Sequence, residues 1–142
     1  MMQFVVKGPI KGKERARTFY DSKIGKHRSI TPGQTVMYQN LVQLCYRTSE
    51  GVEQYMDGEA VGIVIHAYFD IPKSYSKRKR EMICDGKLYP TKKPDADNIG
   101  KIICDALNGV AFKDDSQIVE LTVKKYYTEL PEQYVVVGLY KV

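Results

Sequence analysis

The sequence predicts an α+β fold: a single domain built on a mixed β-sheet, with an antiparallel C-terminal hairpin and two to three packed helices. Three observations predict it. Val61, Ile63, Ile65, Ala67 and Phe69 alternate along one strand face. Ile99, Ile102, Ile103, Ala106 and Leu107 fall at i, i+3, i+4, i+7 and i+8, a single helical stripe. Residues 117–127 and 134–140 read as two strands joined by a turn at Leu130-Pro131-Glu132-Gln133, which predicts a hairpin. A chain of 142 residues supplies one real core and is short for two.

The elements follow in order. Phe4-Val5-Val6 forms a short strand, closed by Gly8-Pro9. Residues 11–17 make a basic loop with Gly12 inside it, and Thr18-Phe19-Tyr20 a second short strand. Residues 21–30 are polar and lysine-rich, an exposed excursion. Thr31 suits an N-cap with Pro32 at the first helical position. Val36, Met37, Leu41, Leu44 and Cys45 then recur at helical spacing and mark the apolar face of a helix over 32–47. Residues 51–58 are a polar connection, and Pro72 ends the strand that follows. Ser76 caps a short basic helix that runs to Cys84, with Gly86 after its end. Asp97 is placed to cap the next helix, and Asn108-Gly109 to stop it. The order of strands, helix, strand, two helices and paired strands argues for α+β.

Composition narrows the function classes. Hydrophobic residues make up 43% and charged residues 27%, as in an ordinary globular domain. Cys45, Cys84 and Cys104 are odd in number and lack a CxxC spacing, which speaks against a disulfide framework or a zinc site. With His27 and His66 the only histidines, a His-based metal site or a Ser-His triad is a poor fit. No apolar run approaches the ~20 residues that cross a bilayer, and no apolar segment follows Met1, so the expectation is a cytoplasmic protein with no membrane partner. The net charge of +5 is unevenly distributed: residues 1–30 and 71–93 each carry +6, whereas 31–70 carry −4 and 94–142 carry −3. Two basic segments with acids between and beyond them suit a polyanion, whose phosphates Lys and Arg neutralise with release of counterions.

The acids are concentrated in Lys93-Pro94-Asp95-Ala96-Asp97-Asn98-Ile99-Gly100-Lys101, then Asp105-Ala106-Leu107-Asn108-Gly109, then Asp114-Asp115. In an extended segment Asp95 and Asp97 project to one side, beside the positive end of a helix dipole. Carboxylates that close repel unless a proton or a cation intervenes. Mg²⁺ takes oxygen ligands and tolerates waters and phosphate in its remaining positions, so this donor set favours Mg²⁺, or Mn²⁺, over Zn²⁺. Of the second pair, Asp115 is expected to face the ion, provided strand and helix pack antiparallel. Lys101, one turn beyond Asp97, lies off the apolar stripe and reaches the mouth of the same site, where it can neutralise charge on a phosphorane-like transition state. Each part has an ordinary local explanation: an N-cap for Asp97, a turn for Asp114-Asp115, an i,i+4 pair for Lys101 and Asp105. The joint pattern is far more specific than any part of it.

That pattern, Pro94-Asp95-Ala96-Asp97-Asn98, Lys101, Asp105-Ala106-Leu107-Asn108-Gly109 and Asp114-Asp115-Ser116-Gln117-Ile118, closely resembles the signature of RusA-type Holliday junction resolvases, often carried by prophages. The basic opening from Gly8-Pro9 through Arg15 and Arg17 is similar to the family's as well. Glu14 departs from its more arginine-rich opening, which bears on DNA affinity more than on chemistry. The resemblance implies a homodimeric, Mg²⁺-dependent endonuclease that nicks two symmetric strands of a four-way DNA junction in recombination and repair. It implies Asp95, Asp97 and Asp115 as metal-site acids and Lys101 as the catalytic lysine, with no small-molecule cofactor.

The DNA-facing residues expected from charge are Lys11, Lys13, Arg15 and Arg17 in the opening, and Lys77, Arg78, Lys92 and Lys93 as a phosphate clamp next to the acids. Phe19, Tyr20, Tyr75 and Tyr89 lie among these cations. His66 reads as a structural histidine and His27 as a solvated one. The competing function is a non-catalytic basic nucleic-acid-binding domain whose acids only cap and solubilise.

Overall fold

The computed structural model describes Met1–Ile30 and Pro32–Val142; the expected Thr31 cap lies outside the described residues. Among the described residues six strands and three helices form, in the predicted order save for the added β3: β1 (Met2–Lys7), β2 (Arg17–Asp21), β3 (Lys26–Ile30), α1 (Gly33–Thr48), β4 (Val61–Asp70), α2 (Lys77–Cys84), α3 (Ala96–Leu107), β5 (Ile118–Thr128) and β6 (Tyr134–Lys141). A 3-10 turn, Asp115–Gln117, leads into β5. The α+β class with a mixed sheet and three helices is borne out.

Two sheets form. The main one has the order β1-β6-β4-β5, and β2 pairs with β3 in a separate antiparallel ribbon. Within the main sheet, β1 and β4 each run antiparallel to β6, while β5 runs parallel to β4. The C-terminal strands are therefore antiparallel in direction and joined by the short turn at 129–133, but they do not bond to each other. The expectation of direct pairing is corrected: β4 lies between β5 and β6. Strands in a sheet are ~4.8 Å apart, so a five-residue turn easily spans the extra strand. A parallel pair needs a crossover, and 71–117, containing α2 and α3, is that crossover.

One face of the sheet carries the core. Val6, Val135 and Ala67 line up across β1, β6 and β4; so do Phe4, Val137 and Ile65, and then Met2, Leu139 and Ile63. All are buried, and they meet α3 through Ile99, Ile102, Ile103, Ala106 and Leu107 and α1 through Tyr38, Val42 and Tyr46. Burying each such aliphatic side chain is worth roughly 1.5–3 kcal/mol.

Helix α1 uses a different stripe from the expected one. Thr35, Tyr38, Val42 and Tyr46 face the core, whereas Met37 is 72% exposed, Leu44 58%, and Val36 exposed as well. Leu41 and Cys45 pack at the border. Tyr46 decides the rotation: its ring meets Phe4 edge-on at 5.8 Å and its hydroxyl donates to the Glu53 carbonyl. Helix α2 begins as predicted, with the Ser76 hydroxyl accepting from the Lys79 N–H at 3.2 Å. Residues 21–30 are exposed as expected, but they include β3 rather than an irregular excursion. Among the described residues no helix is long and apolar enough to cross a membrane.

Candidate active site

The site gathers around α3, whose start lies at the carboxyl ends of β4 and β5, the edge where open α/β crossovers place ligands. The Lys93–Pro94 peptide bond there is cis. Asp95, not Asp97, occupies the N-cap position; its carbonyl accepts from the Ile99 N–H at 3.0 Å, while its carboxylate caps nothing. Asp97 falls in the first turn instead. The extended residue that starts the helix is thus two positions earlier than expected. Both carboxylates are exposed, next to the positive end of the helix dipole. The local sequence explains the helix itself: Ile99, Ile102, Ile103, Ala106 and Leu107 are all buried, as the stripe predicts.

The basic opening is docked onto this helix start. The Lys13 N–H donates to the Asn98 carbonyl at 3.0 Å, and the Lys13 ammonium pairs with Asp105 at 3.1 Å. Lys13 and Asp105 therefore engage each other, rather than Lys101 pairing with Asp105. Gly12 is fixed here by space: a Cβ would sit 2.8 Å from Pro94 Cβ and 3.0 Å from Asn98 Cβ. A cleft of about 340 Å³ opens between loop and helix, lined by Lys11, Lys13, Lys93, Pro94, Asp95 and Asn98 among others.

The two acids of the second pair have separate surroundings. The Asp114 carboxylate accepts from the Ser116 N–H at 3.1 Å and helps cap the 3-10 turn, which holds its carboxyl below the usual range. Asp115 is left exposed with no hydrogen-bond or ion-pair partner among the described residues. Gln117 fastens this turn. Its buried amide oxygen accepts from the Lys113 and Asp114 N–H groups, each at 3.0 Å, and its amide nitrogen donates to the Met56 carbonyl at 2.7 Å and the Glu59 carbonyl at 3.1 Å.

Helix α3 and β5 do pack antiparallel: Gly100 lies against Leu121 and Val123, the Asp95 charge is felt at Lys125, and the Asp115 charge is felt at Cys104. That geometry sets the start of β5 beside the end of α3, not beside its beginning. The Asp115 charge thus acts toward the Cys104 end of the helix rather than its beginning. Among the described residues no group of three or more His, Cys, Asp or Glu side chains is positioned to hold a metal ion. The expected meeting of Asp95, Asp97 and Asp115 is not formed within the single chain. Lys101 is exposed on α3 between the two acidic positions, without an ion-pair partner among the described residues.

Of the four cations that begin α2, Arg80 bonds the carbonyls of Pro72 and Tyr75, and Lys79 lies over the Tyr75 ring at 4.6 Å. Lys77, Arg78 and Arg15 are exposed; Lys93 is exposed at the cleft, and Lys92 is exposed with its ammonium 5.9 Å from the Phe69 ring centre. Lys11 lines the cleft, and Arg17 has moved into the ribbon as its first residue. His66 meets the Tyr126 ring edge-on at 5.5 Å, and the exposed His27 meets Tyr20 in the same way.

Two neighbours of the site were missed by the sequence reading. Lys125, from β5, donates to the Lys92 carbonyl at 2.5 Å and lies over the Phe69 ring; burial depresses its ammonium, and the Asp95 charge partly restores it. No local signal joins Lys125 to Asp95. Gln117 did carry one: it sits three residues after Asp114, the reciprocal position of a capping box.

Comparison with known proteins bears on the same region. A protein of Bacillus subtilis (strain 168), described as Uncharacterized protein YqaN, is 46% identical over 79 residues, covering 54% of this chain and 56% of that protein. The chain thus spans little more than half the length of this curated relative. The family described as Endodeoxyribonuclease RusA matches residues 7–138. The match takes in the docked basic opening, the acids around α3, the whole of β4 and β5 and most of β6, and the chain belongs to the RusA endodeoxyribonuclease family.

Proposed function

We propose that the protein is a Mg²⁺-dependent, structure-selective endonuclease that resolves four-way (Holliday) DNA junctions by paired symmetric nicks. Residues 1–142 act as one endonuclease domain, and the working species is a homodimer, because symmetric cutting needs two sites related by a dyad. The observation that carries this reading is the division of the acids. Asp105 and Asp114 have protein partners; the carboxylates of Asp95 and Asp97, at the start of the helix where the basic opening docks, and of Asp115, in the turn before β5, have none among the described residues.

The donor chemistry fits a hard cation. The free groups are carboxylates, while burial and the charges of Asp105 and Asp115 push the neighbouring Cys104 thiol up to about 11, so it offers no thiolate at neutral pH. Asp95, Asp97 and Asp115 would hold the ion only where the dimer brings them together, since they do not meet within the single chain; Mn²⁺ is an acceptable substitute. When bound, Mg²⁺ polarises the scissile phosphate and lowers the pKa of a coordinated water. Asp95 and Asp97 orient what binds at the start of α3. Lys101 offsets charge developing on the phosphate oxygens. Lys11, Arg15, Arg17, Lys77, Arg78, Lys92 and Lys93 position the DNA backbone, and Lys13 anchors the loop that carries the first of them.

Incubation with a synthetic four-way junction and Mg²⁺ tests the reading. Paired nicks placed symmetrically across the branch point are expected. Binding without nicks in Mg²⁺ or Mn²⁺ would instead make the chain a nucleic-acid binder whose separated acids only cap and solubilise. Asp97→Asn is expected to abolish nicking and to retain junction binding, because removing a carboxylate reduces repulsion of phosphate. Loss of binding by a folded Asp97→Asn protein would remove Asp97 from the proposed ligand set.

A further inference from the structure

The ribbon formed by β2 and β3 has no role in the acidic site. It is attached directly to the basic opening, and nine of its ten strand residues are exposed; only Asp21 is half-buried. An isolated two-stranded hairpin is marginal in water and gains stability from what it packs against. Here its extensive packing is between its own strands. Cross-strand pairing sorts its side chains into two faces. Arg17, Phe19, Asp21, Lys26, Arg28 and Ile30 share one, and Thr18, Tyr20, His27 and Ser29 the other. Residues 17–30 carry Arg17, Lys23, Lys26 and Arg28 against the single acid Asp21, a net +3. Asp21 is already taken up, with its carboxylate on Arg28 at 3.0 Å and on the Lys23 N–H at 2.9 Å. Phe19 remains 40% exposed and Tyr20 60%.

We propose that this ribbon is a DNA-binding arm that lies in the groove of one duplex branch, with Lys23, Lys26 and Arg28 on its phosphates. Three features select DNA over a second copy of the chain. The arm is strongly cationic, whereas a self-docking face of like charge repels itself. A two-stranded ribbon has the width that the major groove admits. Its root is continuous with the loop that Lys13 ties to Asn98 and Asp105, so an arm seated on a branch fixes the distance from that branch to the acids. The inference rests on the proposed nuclease reading.

The test compares the full-length protein with Lys23→Ala/Lys26→Ala/Arg28→Ala on a four-way junction, measuring Kd between 50 and 200 mM salt, about the range over which phosphate contacts declare themselves. The expected result is a Kd at least tenfold weaker, with the salt slope reduced by about 2–3 for three lost phosphate contacts. An unchanged Kd and slope, with the parent protein binding and nicking normally, would overturn the arm and leave the nuclease reading standing. Failure of the parent protein to bind the junction would overturn both. Sedimentation separates the remaining alternative: if the triple variant turns a dimeric parent into a monomer, the ribbon is a subunit contact and the inference fails. Because the three side chains are exposed and the ribbon packs chiefly on itself, its variant is expected to melt within about 2 °C of the parent; a Phe19→Ser/Tyr20→Ser variant with intact charge, retaining the parent's salt slope, provides a second check on folding and attribution.

Discussion

At the scale of single residues, Gly12 and Gln117 hold the site in place without belonging to its chemistry. Gly12 lets the basic opening lie flat on Pro94 and Asn98. Gly12→Ala sets a methyl group against two Cβ atoms that cannot rotate away, so the loop must lift by some tenths of an ångström. Misplacement of about 1 Å costs up to ~100-fold in rate; a loss of roughly tenfold in junction nicking is expected, with little change in unfolding midpoint. An activity equal to the parent's would show that the loop is not part of the working site. Gln117 has all four of its amide hydrogen-bonding positions filled. Gln117→Leu keeps the bulk and strands two N–H groups and the Glu59 carbonyl, while the Met56 carbonyl keeps only the Glu59 N–H, which is expected to cost about 2–4 kcal/mol in urea unfolding. Gln117→Glu is no milder, since it turns a lone pair toward the Met56 and Glu59 carbonyls. A loss below ~1 kcal/mol in both would mean that solvent reaches this turn.

At the scale of elements, α1 gives the sharpest contrast. Val42→Ala is expected to cost about 2 kcal/mol and Leu44→Ser less than about 0.5 kcal/mol, read from denaturant midpoints. A reversal would return the helix to the rotation that its hydropathy suggests. The sequence contains two stripes on this helix, and the more hydrophobic one faces solvent. Leu and Met outrank Tyr on any transfer scale, yet Tyr38 and Tyr46 are larger and one of them finds a polar partner for its hydroxyl. Local signals were legible elsewhere. The α3 stripe, the Ser76 cap and the β4 alternation each involve residues within two turns or one strand of each other. What was not legible is non-local. Sequential strands are usually neighbours, so the pairing of β5 with β4 rather than β6 runs against the ordinary expectation. The same is true of Asp115, whose position depends on which end of α3 the start of β5 meets.

At the scale of the whole molecule, the charge pattern is more informative than its sum. The basic opening and the ribbon that continues it are far from the approach to α3 in the chain, yet the Lys13 contacts bring the opening onto the helix start. Arg15→Glu/Arg17→Glu is therefore expected to weaken junction binding and lower the salt slope by about 2. Binding titrations at several salt concentrations check this; an unaltered slope takes the opening off the DNA. The buried half of the molecule should be indifferent to the same change, because neither arginine has a core contact to lose.

The acids around α3 all lie on one excursion that leaves the sheet at Asp70 and rejoins it at Ile118 on the adjacent strand. Such a piece is bounded by two parallel neighbours, and the opening that follows β1 at the opposite edge reaches across to hold it through Lys13. Because the β4–β5 ladder fixes where this piece rejoins the sheet, a one-residue slip of β5 along β4 would carry Asp115 about 3 Å relative to the acids at the start of α3.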